Sequence, residues 1–187
     1  MTVLEQEKSC TYADYRGWKD SPRCELIDGV PVLMSPAPGR AHQWISGKLF
    51  LKIGRFLEGK SCQIYSAPFD VRLDGLGDED KNVVQPDLSV ICDTEKLDDK
   101  GCNGAPDMII EILSPSSQRH DRFVKLKLYQ KAGVREYWII DPETKLVQVH
   151  ILNDGIYSFI IYGDDAKIPV HVLKGLEIPL TDIFEES

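Results

Sequence analysis

The stretch Met108-Ile109-Ile110-Glu111-Ile112-Leu113 decides the fold. All but one of its residues are apolar and β-branched isoleucines dominate, the composition of a strand buried on both faces. Glu111 breaks that pattern. An ionised carboxylate carried unpaired into such an interior costs several kcal/mol, roughly, so the fold has to bring a cation, a proton or a metal ion to this position.

Two stretches supply candidates. Gln85-Pro86-Asp87 precedes Leu88-Ser89-Val90-Ile91-Cys92, a short run of strand formers that begins where proline's missing donor is tolerated. A second strand then carries a second acid, Asp87. Downstream, His120 to Ala132 has helical character and stops at Gly133. At about 100° per residue, Val124, Leu128, Tyr129 and Ala132 span one arc, and Lys125 falls inside it with Asp121.

Two carboxylates on neighbouring strands and an inward lysine suit metal-assisted phosphodiester hydrolysis, because each answers a separate need. The acids offer hard oxygen ligands for Mg²⁺ or Mn²⁺. The metal polarises the phosphate and acidifies a bound water, while the ammonium holds that water or balances charge developing on phosphorus. The backbone carbonyl of Ile112 can complete the shell. Two residues stand at the margin of this set. Glu25 is either a third acid near the metal or a solvated edge-strand acid, and His42 is either catalytic or a satisfied histidine at a helix start. Glu111 itself has the alternative of a structural ion pair with Lys125 or Arg122.

Pro86-Asp87, Glu111 and a nearby lysine resemble the PD-(D/E)XK nuclease signature, although Leu113 stands where that signature usually places its lysine. A longer series is more specific: Glu25-Leu26-Ile27-Asp28-Gly29, Met34-Ser35-Pro36, His42, Gln85-Pro86-Asp87-Leu88, Glu111 to Ser116, Asp121 through Lys125 to Tyr129, Gly133 to Trp138, and Asp141-Pro142. In that order these motifs resemble the bacterial Uma-two family of restriction-endonuclease-like proteins, over nearly the whole chain. The resemblance implies an α/β (α+β) fold, a restriction-endonuclease-like mixed β-sheet core flanked by helices with additional β-hairpins. It also implies a site of Asp87, Glu111 and a lysine displaced to the following helix, which matches Lys125, and DNA as the substrate. Cutting both strands calls for two active sites, so a homodimer is a natural assembly, with no interface legible in the residues.

Composition sets the frame. The chain has 187 residues, 42% hydrophobic and 28% charged, enough to bury one core, and it is expected to be one restriction-endonuclease-like domain over 1–187 with an N-terminal extension of about fifteen residues. No stretch has the roughly 18 apolar residues of a membrane span, and the start lacks the marks of a signal peptide, so a cytoplasmic protein is expected. Five cysteines without metal-ligand spacing are expected to be reduced thiols. The net charge of −8 opposes nonspecific duplex binding. Against it, Arg119, His120, Arg122, Lys125, Lys127 and Lys131 gather around the candidate site. Two alternatives to a nuclease therefore stay open: a catalytically silent nucleic-acid-binding or assembly module, and a hydrolase of another phosphoester.

Along the chain, a hairpin is expected around Asp28-Gly29. A helix should follow from Ala41 to Glu58 with His42, Ile45, Leu49, Ile53 and Phe56 on its packing stripe. Strands are expected near Gln63–Tyr65, Phe69–Leu73, Leu88–Cys92 and Met108–Leu113, and two closing hairpins from Tyr137 to Tyr162, while Gly75 to Asp80 reads as a mobile loop.

Overall fold

The computed structural model describes residues 9–18, 23–34, 37–114 and 120–185, with the backbone alone at 120 and 121. The N-terminal half runs α1 (Tyr12–Arg16), β1 (Cys24–Ile27), β2 (Val30–Leu33), α2 (Arg40–Leu57), β3 (Gln63–Ser66), β4 (Val71–Arg72), β5 (Val83–Val84) and β6 (Leu88–Ile91). Then come β7 (Leu97–Asp98), β8 (Gly101–Asn103), β9 (Met108–Ile112), a π-helical turn over His120–Lys125 that leads into α3 (Leu126–Ala132), β10 (Glu136–Asp141), β11 (Leu146–Asn153) and β12 (Ile156–Tyr162). The chain closes with β13 (Lys167–Pro169), β14 (Glu177–Pro179) and α4 (Thr181–Phe184).

The strands make two six-stranded sheets. The first has the order β2-β1-β5-β4-β8-β7 and the second β12-β11-β10-β9-β6-β3. In the second, β9 runs parallel to β10 and antiparallel to β6, so the sheet is mixed, and every residue of β9 is buried. Strand side chains alternate between faces. Met108, Ile110 and Ile112 therefore meet one layer, built from Ile45, Leu49, Ile53 and Leu57 of α2 with the C-terminal Ile168, Ile178 and Ile183. Ile109 and Leu113 meet the other, with Leu128 and Tyr129 of α3 and Val71, Val84 and Cys102 of the first sheet. Each of these fully buried aliphatic side chains stabilises the fold by about 1.5–3 kcal/mol. Glu111 shares the parity of Ile109 and Leu113 and points into the layer between the two sheets. The expected mixed sheet flanked by helices, with extra hairpins, is present.

Several local expectations change. The α2 stripe continues to Leu57 rather than Phe56, because the buried positions keep a four-residue step. Phe56 lies at the margin, with the Lys60 ammonium 3.0 Å from its ring centre. Val124 is 41% exposed and not on the packing face. The π turn around it widens the helix by one residue per turn, which rotates Val124 out and leaves Lys125 inside. The strand expected over Phe69–Leu73 shrinks to Val71–Arg72. The segment Gly75 to Asp80, read as a mobile loop, is tied down instead. It contains a short 3₁₀ turn, Asp78 takes ion pairs from Arg16 and Lys100, and the buried Asp80 accepts the amides of Leu76 and Asn82.

The cysteine expectation is corrected as well: Cys62 and Cys92 form a disulfide. Their strands pair antiparallel with Gln63 opposite Ile91, and one further step of that register sets the two cysteines face to face. Cys10, Cys24 and Cys102 remain thiols, and burial pushes Cys102 up to about 11, away from nucleophilic use. Of the expected N-terminal extension, the described part is bound into the first sheet. Tyr12 is buried against Leu26 and Val83, and its amide donates to the Asp80 carbonyl. Ser35, Pro36, Pro115, Ser116 and Arg119 lie outside the described residues, as do the side chains of His120 and Asp121. No helix of the described residues is long and apolar enough to cross a membrane.

Candidate active site

The site forms where the two sheets meet. β9 delivers Glu111 from the second sheet, β1 delivers Glu25 from the first, and the π turn before α3 delivers Lys125 between them; all three are buried. The Lys125 ammonium lies 2.8 Å from Glu111 Oε1 and 3.0 Å from Glu25 Oε1. Tyr129, one α-helical turn after Lys125, donates its hydroxyl to Glu111 Oε1 at 2.7 Å. Burial, then the Glu111 and Glu25 carboxylates, push that hydroxyl well above its ordinary range, so it stays a donor. The backbone amide of Gln85 adds a bond to Glu25 Oε1 at 3.0 Å.

Asp87 closes the other side. The amide of Ile112 donates to its Oδ2 at 2.7 Å, and His42 Nε2 stands 3.1 Å from the same oxygen. A carboxylate only accepts, so that nitrogen carries the hydrogen. His42 Nδ1 is buried and has no hydrogen-bond partner among the described residues. The amide of Asp87 faces Glu111 Oε2 at 3.4 Å, which joins the two acids across neighbouring strand ends.

All five residues expected at the site therefore converge. Glu25 is a buried member of it and not a solvated edge acid. Glu111 pairs with Lys125, whereas Arg122 pairs with Asp141 at 3.1 Å. Ile112 shows its amide to Asp87, a contact the sequence reading did not foresee. Tyr129 was read only as a packing residue, yet its spacing of four from Lys125 already set both on one helical face.

The family comparison decides the kinship. The family model of Uma2, described as "Putative restriction endonuclease", matches residues 12–181. The chain belongs to the Uma2 family. A curated relative, "Uncharacterized protein slr1290" from Synechocystis, is 25% identical over 144 residues, covering 75% of this chain and 73% of the relative. Among solved structures, a crystal structure from Anabaena variabilis of "a putative nuclease belonging to DUF820" superposes with a TM-score of 0.74 at 22% identity, covering 93% of this chain and 97% of that one. That likeness establishes the fold shared by this Uma2 chain. The site described above lies wholly inside the matched span.

Proposed function

We propose that this Uma2 protein is a divalent-metal-dependent endonuclease that hydrolyses DNA phosphodiester bonds. The observation that carries the reading is the convergence of Asp87 and Glu111 on adjacent strand ends, with Lys125 from the following helix bridging Glu111 to Glu25. Lys125 is shared by Glu111 and Glu25, while Asp87 is met by His42 and the Ile112 amide, so among the described residues the site presents hard carboxylate oxygens of the kind a divalent cation takes.

The donor set fits Mg²⁺ or Mn²⁺ of the kind held by one or two carboxylates and completed by water. Both ions prefer hard oxygens, and Asp87 engages only Oδ2 among the described residues, leaving Oδ1 to bind. No group of three or more His, Cys, Asp or Glu among the described residues is arranged to hold an ion, so the fit is to an open site and not to a closed protein cage. When bound, the ion would polarise the phosphate and acidify an attacking water. The chain's own part is to fix the acids. His42 and the Ile112 amide orient Asp87, while Tyr129 and Lys125 orient Glu111 and hold its charge. DNA comes from the family description and from the nuclease name of the structural neighbour.

A second reading, a nucleic-acid-binding module that does not cut, is favoured by one fact: the Lys125 ammonium is engaged by two buried carboxylates. Nicking of supercoiled plasmid with Mg²⁺ or Mn²⁺, by wild type beside Asp87→Asn and Glu111→Gln, separates the two. Cleavage at least 100-fold weaker in both variants, with matching loss of Mn²⁺ binding by titration calorimetry, supports the nuclease. Equal cleavage in all three refutes the site. DNA retention without cleavage by any of them favours the second reading.

A further inference from the structure

We infer that Asp70 and Tyr15, acting through the side chain of Gln85, set the places of Glu25 and Asp87, which makes Gln85 a positioning residue of the candidate site. This rests on the nuclease reading for what the site does, and stands apart from it for how the site is held.

Gln85-Pro86-Asp87 is the crossing from the end of β5 in the first sheet to the start of β6 in the second. Few torsions are free along it. The proline restricts Gln85 to extended backbone, and its ring fixes its own φ in a buried position. Holding the first residue of the crossing therefore also holds the last, whose carboxylate has to meet the Ile112 amide and His42.

The groups that hold Gln85 lie outside the candidate site. Val71 pairs with Val84, and one further step of that register sets Asp70 opposite Gln85. Gln85 Nε2 donates to Asp70 Oδ1 at 2.8 Å and to the Tyr15 hydroxyl at 3.1 Å, while its Oε1 accepts from Arg23. A carboxylate at one end and a guanidinium at the other settle which atom is the nitrogen. Asp70 is fixed in turn by the hydroxyls of Tyr12 at 3.1 Å and Tyr15 at 3.3 Å. With both ends of its side chain engaged, Gln85 keeps its backbone amide on Glu25 Oε1 at 3.0 Å.

A simple cross-strand pair would end at Asp70 and Gln85. This one continues to α1 through the two tyrosines, to Glu25 through the amide and to Asp87 through Pro86. Satisfied polar networks of this kind rigidify what they join.

Reversing the polarity of the central hydrogen bond tests this. Gln85→Glu turns the donor into an acceptor facing Asp70, and adding Asp70→Asn exchanges donor and acceptor and returns the net charge to −8. Amide hydrogen exchange by NMR should follow positions 85 and 112, whose amides meet Glu25 and Asp87, against Trp138 and Val149 within β10 and β11. The expected result for Gln85→Glu is exchange about tenfold faster or more at 85 and 112, with Trp138 and Val149 within about twofold of wild type and all four restored in the double variant. Mn²⁺ titration calorimetry adds a sign. Extra negative charge alone tightens a divalent cation, whereas displaced acids weaken it, and Gln85→Glu should bind about 10-fold more weakly or worse, with recovery in the double variant. Unchanged exchange at 85 and 112, equal acceleration at all four positions, changes that the double variant does not reverse, or Mn²⁺ binding as tight as wild type or tighter in Gln85→Glu overturns the proposal. Wild type that binds no Mn²⁺ yet shows the reversible exchange pattern refutes the metal reading and upholds this one.

Discussion

The two sides of the candidate site are built on opposite principles. Around Glu111 the chain has enclosed charge: Glu25, Glu111 and Lys125 are each about 5% exposed in their side chains and are held by hydrogen bonds at 3.0 Å or less. Around Asp87 the chain has left charge near water, with side-chain exposures of 21% for Asp87 and 11% for His42. A buried charge stripped of its partner cannot be solvated, whereas one that keeps about a fifth of its side chain in water can be in part. The enclosed side should therefore govern stability and the open side chemistry.

The largest test removes the enclosed cation. Lys125→Met leaves two carboxylates facing each other without water, and unfolding by urea should show a loss of about 3–5 kcal/mol. A loss under about 1 kcal/mol would mean that water reaches the pair and that the contrast is false.

Buried but unpartnered His150 sharpens the comparison from outside the site. Its ring packs among Tyr137, Tyr157 and Phe159, its Nε2 has no partner among the described residues, and burial lowers its pKa to about 4. The folded state then binds the proton less well than the unfolded chain. The histidine's contribution is intact above about pH 6.5 and is lost as pH falls from there towards 4, by about 3 kcal/mol in total. His150→Phe should flatten that part of the stability-against-pH curve while leaving the neutral value equal or higher.

Tyr129→Phe deletes one donor to Glu111 and keeps the packing. It should cost about 1.5–3 kcal/mol in urea unfolding, as loss of a hydrogen bond to a buried charged group does. The smallest change in stability belongs to the open side. Asp87→Asn keeps an oxygen for the Ile112 amide, so it should alter unfolding by less than about 1 kcal/mol while abolishing Mn²⁺ binding. Such a variant dissociates folding from function, which Lys125→Met cannot.

The legible parts of the chain were those with period or punctuation. The four-residue step of α2, the Asp28-Gly29 turn and the isoleucine run of β9 each announced their element. Asp87, Glu111 and Lys125 emerged from strand reading plus a helical face. What stayed hidden depended on how separate elements dock. Glu25 stayed open between a third acid at the metal and an edge-strand acid, because nothing local says that β1 faces Lys125 across the seam between the sheets. The π turn has no sequence period of its own, so Val124 was misplaced. The disulfide needed the register of β3 on β6. Glu136 is a caution on the first inference made from Glu111: it too is buried, yet it is satisfied by the Trp138 indole and the Val172 amide. Burial of an acid demands donors, and only a converging set of groups distinguishes a site from a structural anchor.

Lys125 touches one acid from each sheet, and this makes the ammonium a latch as well as a countercharge. The site is not cut into a finished surface but exists only while the two sheets are shut. Parting β1 from β9 would separate Glu25 from Glu111 and would also open the apolar layer that Val71, Val84 and Cys102 share with Ile109 and Leu113. The integrity of the site is therefore tied to the same docking that closes the core between the sheets, and a change that loosens that seam is felt at both.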